Sequence, residues 1–155
     1  NTDFSYVSFP TLIKESDIIS LHAPLTKENK HLINKKVIKK MKPGVFIINT
    51  ARGGLINSAD LVWGLEKNII AGAALDVLES EELLLYRDGF SLETDRIDRE
   101  ELVNTLLNHE LLDMENVIVT PHSAYETVES VYEILDKSMN NIKDYLANKA
   151  ENRAA

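Results

Sequence analysis

The stretch Val45 to Ile56, VFIINTARGGLI, restricts the fold of this chain more than any other. Val45-Phe46-Ile47-Ile48 is apolar at every position and mostly β-branched, which predicts a strand buried on both faces. Asn49 and Thr50 end the run, and Arg52 follows at once beside Gly53-Gly54, read as a flexible pair. Asn57 and Ser58 offer caps for a following helix. A permanently charged guanidinium therefore sits just past the C-terminal end of a strand. In open parallel α/β sheets that is where ligands bind. The fork of an Arg suits a small carboxylate or a phosphate, which it holds with paired hydrogen bonds.

The rest of the chain repeats this pattern. Pro10 opens a short helix over 10–15, and Ile18 to Leu21 reads as a buried strand followed by His22-Ala23-Pro24. Asn34 is an N-cap for a helix over 35–41, stopped by Lys42-Pro43-Gly44. Leu61, Val62 and Leu65 have helical spacing within 58–67, and Asn68 ends that helix. Ala71 to Val77 is a third strand, rich in small residues, with Asp76 at its end and Glu79 and Glu81 just beyond. Residues 82–115 are acidic and predict an excursion from the sheet, with a helix near 100–112. Val117 to Val119 is a fourth strand, followed by Thr120-Pro121-His122. Val128, Val131, Leu135, Met139, Ile142 and Leu146 form the apolar stripe of a long helix over 126–146, and the tail from Ala147 is expected to fray.

Strands separated by helices or long crossovers argue for a parallel sheet. Parallel strands place all their C-terminal ends on one rim. His22, Arg52, Asp76 with Glu79 or Glu81, and His122 each fall within a few residues of such an end. Each has a plainer reading: a surface ion pair for Arg52, solvated loop acids for Glu79 and Glu81, turn-bonding for the histidines. Periodicity does not choose between Glu79 and Glu81. His31 and His109 lack a strand-end position and read as structural, Trp63 reads as packing, and the lysines at 35, 36, 39 and 40 read as a solvated face. Taken together the rim set suits chemistry on a small anion bearing a carbonyl or hydroxyl. Arg52 would hold the carboxylate, His122 would move the proton, and a carboxylate would orient and charge that His. With no nucleophile or metal set in view, hydride transfer with an outside cofactor is the reaction class.

Composition narrows the partners. A chain of 155 residues with 44% hydrophobic residues can bury a real core, and its formal net charge of −8 disfavours nucleic acid and anionic membrane. Disulfides and thiolate metal sites are excluded by the absence of cysteine, and no metal set is expected. No apolar run approaches the ~20 residues of a membrane helix, and no signal peptide is evident, which favours the cytoplasm. A first residue Asn1 rather than Met suggests a piece of something longer.

Four segments, SLHAPLTKENKHLIN, INTARGGLI, AALDVLESE and VIVTPHSAYET, resemble in that order the C-terminal half of the NAD-dependent D-isomer-specific 2-hydroxyacid dehydrogenases. The acidic excursion and His-Ser-Ala-Tyr are most similar to the D-lactate dehydrogenase branch, the vancomycin-resistance members included. The resemblance implies the second half of a Rossmann-like parallel α/β sheet of about four strands, with flanking helices and a long amphipathic C-terminal helix. It implies that residues 1–124 belong to the NAD-binding domain, with 82–115 an excursion within it, and that 125–155 return toward a substrate domain. It assigns substrate binding to Arg52, the catalytic acid to Glu81, five residues after Asp76, and proton donation to His122. It places cofactor contacts on His22, Ala23, Pro24, Asn29, Thr50, Ala51, Arg52 and Asp76. The implied reaction is reduction of a small 2-keto acid by NADH to a D-2-hydroxy acid, in a parent expected to be a homodimer. The alternative is a non-catalytic module that binds NAD or a partner on the same fold.

Two departures stand out. Glu126 occupies the place where many lactate-branch relatives carry a second Tyr after Tyr125. The Gly-x-Gly-x-x-Gly phosphate loop does not occur in the sequence, and neither does the N-terminal part of the substrate domain. The chain alone is therefore expected to be inactive, and the 18–21 strand to expose an apolar edge that invites self-association.

Overall fold

The structure, a computed structural model, describes residues 4–81 and 98–147. The chain divides into two units, Asn1–Pro121 and His122–Ala155. In the first unit the four described α-helices each start on a side-chain cap. Ser8 accepts from the Thr11 N–H ahead of α1 (Phe9–Glu15), which carries Pro10 in its first turn. Asn34 accepts from the Lys36 and Val37 N–H groups ahead of α2 (Lys35–Ile38), and Asn57 from that of Asp60 ahead of α3 (Ser58–Glu66). Asp98 and Glu101 close a reciprocal capping box on α4 (Arg99–Asp113). Beyond the C-cap of α3, Asn68 takes a left-handed φ of 54°, which ends the helix as its sequence position predicts. Of the expected excursion over 82–115, residues 82–97 lie outside the described residues, as does the tail from 148, and the helix expected near 100–112 is α4.

β1 (Ile18–Leu21), β2 (Val45–Asn49), β3 (Ile70–Leu75) and β4 (Val117–Val119) form one parallel sheet in that spatial order. The register aligns Ile19, Ile47, Ala73 and Val117 in one row, and Leu21, Asn49, Leu75 and Val119 in the next. These rows face a core completed by Ile13, Ile38, Leu61, Leu65 and Leu111 from the four helices and by Met41 after α2. Full burial of one such side chain is worth roughly 1.5–3 kcal/mol, so this layer dominates the stability of the unit.

The expectation of strands buried on both faces is corrected here. Burial alternates along β1 and β2, and Ile18, Phe46 and Ile118 on the other face are 59%, 50% and 66% exposed. The described helices of the first unit contribute to one core against one face, and Ile18, Phe46 and Ile118 of the second face are accessible.

Trp63 is half-buried at the core margin, and the ammonium groups of Lys35 and Lys39 lie 4.4 and 5.8 Å from its ring centroid. Part of the lysine face thus stacks on an aromatic ring instead of standing free in solvent. In the second unit, α5 (Val128–Leu146) is capped by Thr127 and has no buried residue; its apolar stripe is exposed. Among the described residues no helix is long and apolar enough to cross a membrane.

Candidate active site

Leu21, Asn49, Leu75 and Val119 are both the last residues of their strands and partners in one register row. The four strand ends are therefore flush, and the segments leaving them start from a common rim. From β1 come His22, exposed, with Nε2 2.8 Å from Ser20 Oγ, then Ala23 and Pro24. Asn29 staples this turn, donating to the Pro24 carbonyl and accepting from the Thr26 N–H, both at 2.7 Å. Of the residues assigned to this loop, Asn29 and Pro24 are thus bonded to each other.

From β2 come Thr50, Ala51 and Arg52. Asn49, 1% exposed, shapes their turn: Oδ1 accepts from the Ala51 N–H at 3.1 Å and Nδ2 donates to the Arg52 carbonyl at 3.0 Å. An Asn at a strand end can replace ladder bonds in this way and redirect the chain. Arg52 itself is exposed, with one guanidinium nitrogen bonded to the Ala51 carbonyl at 2.6 Å. Gly53 is required for close approach and not for flexibility: a Cβ there would stand 2.2 Å from the Leu78 carbonyl carbon and oxygen and 2.6 Å from the Glu79 nitrogen. The Arg52 turn rests directly on the backbone that leaves β3.

From β3 comes Asp76, 4% exposed, whose N–H continues the ladder to the Asn49 carbonyl and whose carboxylate accepts from Thr120 Oγ1 at 2.5 Å. Thr120 is the first residue past β4, so this bond joins two strand ends. Next in sequence stand the two acids that periodicity leaves undivided, and the structure separates them. Glu79 is 7% exposed and both its oxygens are engaged: Oε1 by His31 Nε2 at 2.6 Å, Oε2 by the Ser58 N–H and Oγ at 2.8 and 2.9 Å. Glu81 is half-buried and its Oε2 accepts from the Leu78 N–H at 2.8 Å. The rim of the first unit thus holds His22, Arg52 and Asp76, with Glu81 on the segment that leaves it. His122, with a left-handed φ of 54°, follows Pro121 directly and begins the second unit.

Two interactions escape sequence reasoning. Asn49 reads only as the end of an apolar run, yet it holds the turn that carries Arg52. His31 reads as structural, and nothing in its spacing names Glu79 as its partner, 48 residues on. An Asn closing a β-branched run before a Gly pair was the one available sign of the first.

A parallel sheet with flush strand ends that present Arg, His and Asp is a ligand-binding rim of the open α/β class. The chain belongs to the family described as D-isomer specific 2-hydroxyacid dehydrogenase, NAD binding domain, which matches residues 1–124. It is 39% identical over 143 residues to a D-specific alpha-keto acid dehydrogenase of Enterococcus faecium, covering 92% of this chain and 42% of that protein. An aromatic 2-oxoacid reductase of Clostridium sporogenes is 40% identical over 142 residues, covering 90% and 40%. Among solved structures, D-lactate dehydrogenase with NAD+ from Lactobacillus jensenii superposes with a TM-score of 0.81 at 36% identity, covering 97% of this chain and 43% of that one. The chain spans about two fifths of the length of these relatives.

NAD is the cofactor that defines this domain family. The rim offers polar groups of the kind such a cofactor needs: Asp76 is a buried carboxylate, and Thr50 and His22 are exposed. The pyrophosphate end finds no Gly-x-Gly-x-x-Gly loop in this sequence.

Proposed function

We propose that this chain is the catalytic-side portion of an NAD-dependent D-2-hydroxyacid dehydrogenase that reduces a small 2-keto acid of the D-lactate type. The observation that carries the reading is the flush rim, which brings Arg52 and Asp76 to the ends of adjacent strands beside the strand that leads to His122. Arg52 holds the substrate carboxylate through its fork. When bound, NADH supplies the hydride to the keto carbon. His122, in its protonated form, gives its proton to the keto oxygen as that oxygen gains the electron pair of the former double bond. Glu81 is assigned the supporting carboxylate of this proton transfer. The products are the 2-hydroxy acid and NAD+, and in the reverse direction neutral His122 takes the hydroxyl proton. His22, Ala23, Pro24, Asn29, Thr50, Ala51 and Asp76 line the cofactor side.

Residues 1–124 serve as cofactor domain and 125–155 as the return toward a substrate domain. The intact parent is read as a cytoplasmic homodimer. In that parent, Arg52→Ala is expected to lower kcat/KM for pyruvate and longer 2-keto acids by about 1,000-fold, since it removes a paired charge-assisted contact at the reacting group. Near-normal rates would reject the assignment. NADH binding by the unmodified parent without reduction of any 2-keto acid would favour the non-catalytic module instead.

A further inference from the structure

We propose that Glu79, clamped by His31 and Ser58, is a positioning residue that ties the turn carrying Arg52 to the turn carrying Glu81; this rests on the roles given to those two residues above. Asn57 accepts the Asp60 N–H through Oδ1 as the N-cap of α3, and its Nδ2 lies 3.5 Å from His31 Nδ1. His31 Nε2 lies 2.6 Å from Glu79 Oε1, so the ring bridges the α3 cap and the carboxylate. With the Ser58 N–H and Oγ on Oε2, the carboxylate accepts three donors in the first turn of α3, where the helix dipole also favours an anion.

The same residue is held through its backbone. The Glu79 carbonyl accepts from Asn108 Nδ2 of α4 at 2.7 Å, and its nitrogen lies against Gly53. Ser80 follows with a left-handed φ of 53°, a conformation that needs outside support in a residue other than glycine. The Leu78 N–H then bonds to Glu81, closing the turn. A buried carboxylate at one end, a strained residue in the middle and the Glu81 side chain at the other form one short tie. Releasing Glu79 lets the Leu78–Glu81 turn relax, and with it the Arg52 turn that sits on Leu78. A displacement of order 1 Å in such groups is enough to depress turnover strongly.

The test uses the full-length parent protein. His31→Phe keeps a ring but removes the donor. It is expected to lower kcat about 10-fold per folded molecule and to raise KM for the keto acid about 3-fold. Its amide hydrogen exchange is expected to accelerate at Leu78–Glu81, the Leu78 amide above all, while Val45–Asn49 of β2 keep their protection. His31→Gln, which supplies a donor for Glu79 and an acceptor for Asn57, should restore most of the kcat. If His31→Phe does not fold, Ser58→Ala removes one donor from Oε2 and should show the same local exchange with a smaller loss of kcat. Wild-type kcat, no rescue by Gln, or exchange raised uniformly along the chain would overturn the proposal. The exchange measurement decides it independently of the functional reading, which Arg52→Ala addresses.

Discussion

Along the C-terminal rim, polar groups hold one another: Asn49 binds Ala51 and Arg52, Asp76 binds Thr120, Asn29 binds Pro24 and Thr26 just past His22. On the outer face of the same strands stand Ile18, Phe46 and Ile118, at least half exposed and apolar. The two regions share a backbone and differ in what completes them. The rim turns are satisfied from within the chain, one strand end bonding to the next, so their geometry is set locally. The outer face carries side chains suited to a covering layer, and its shape follows from strand register alone. A chain with two fifths of its relatives' length can hold a formed rim and still present an apolar face.

The sharpest way to break that contrast is at Gly53. Gly53→Ala places a methyl 2.2 Å from the Leu78 carbonyl, against backbone that cannot rotate away. The turn must shift as a body, at a cost of about 3 kcal/mol. Urea unfolding of the full-length parent should show that loss, together with a fall in kcat/KM larger than the unfolded fraction explains. A variant as stable as the parent would mean that the rim turns are not packed against each other as described.

How far the sequence discloses this contrast follows from the range of the forces involved. Strands, caps and turn residues are local, and Asn34, Asn57, Asn68 and Pro10 act where their neighbours imply. The common rim is legible too, because parallel connection is nearly forced once helices separate the strands. Coverage is not legible: Phe46 is as apolar as Ile47, and only packing shows that one is exposed and the other buried. Nor is the burial of Glu79 written in spacing, since it depends on Ser58 and His31, 21 and 48 residues away. Gly53 carries the same lesson, because a glycine needed for close approach looks in sequence like one needed for flexibility.

Asn49 sharpens the comparison at intermediate strength. Asn49→Leu keeps the branching of the side chain in the core row but leaves the Ala51 N–H and the Arg52 carbonyl without their partner. The expected loss of stability is about 2 kcal/mol, the usual range for orphaning buried polar groups. Because the lost bonds hold the backbone of Arg52, KM for the keto acid should rise as well, whereas an equal loss of stability produced elsewhere in the core should leave KM alone. Chemical denaturation beside steady-state kinetics on the parent separates the two.

The smallest effect on folding belongs to the outer face, at Ile18. This residue begins β1, an end strand of the described sheet, and is 59% exposed. Ile18→Lys removes no core contact of the kind made by Ile19, so the folding free energy of the 155-residue chain should change by less than about 0.5 kcal/mol. Its effect should appear in association. An apolar end strand with an open backbone edge templates pairing with another chain, and a lysine there opposes it by charge and by loss of apolar contact. Sedimentation velocity over a range of concentrations should show the unmodified chain gaining mass as it is concentrated and the Ile18→Lys chain gaining less. Identical behaviour of the two would remove β1 as the route of association, and a large loss of stability would show that the outer face contributes to folding as the covered face does.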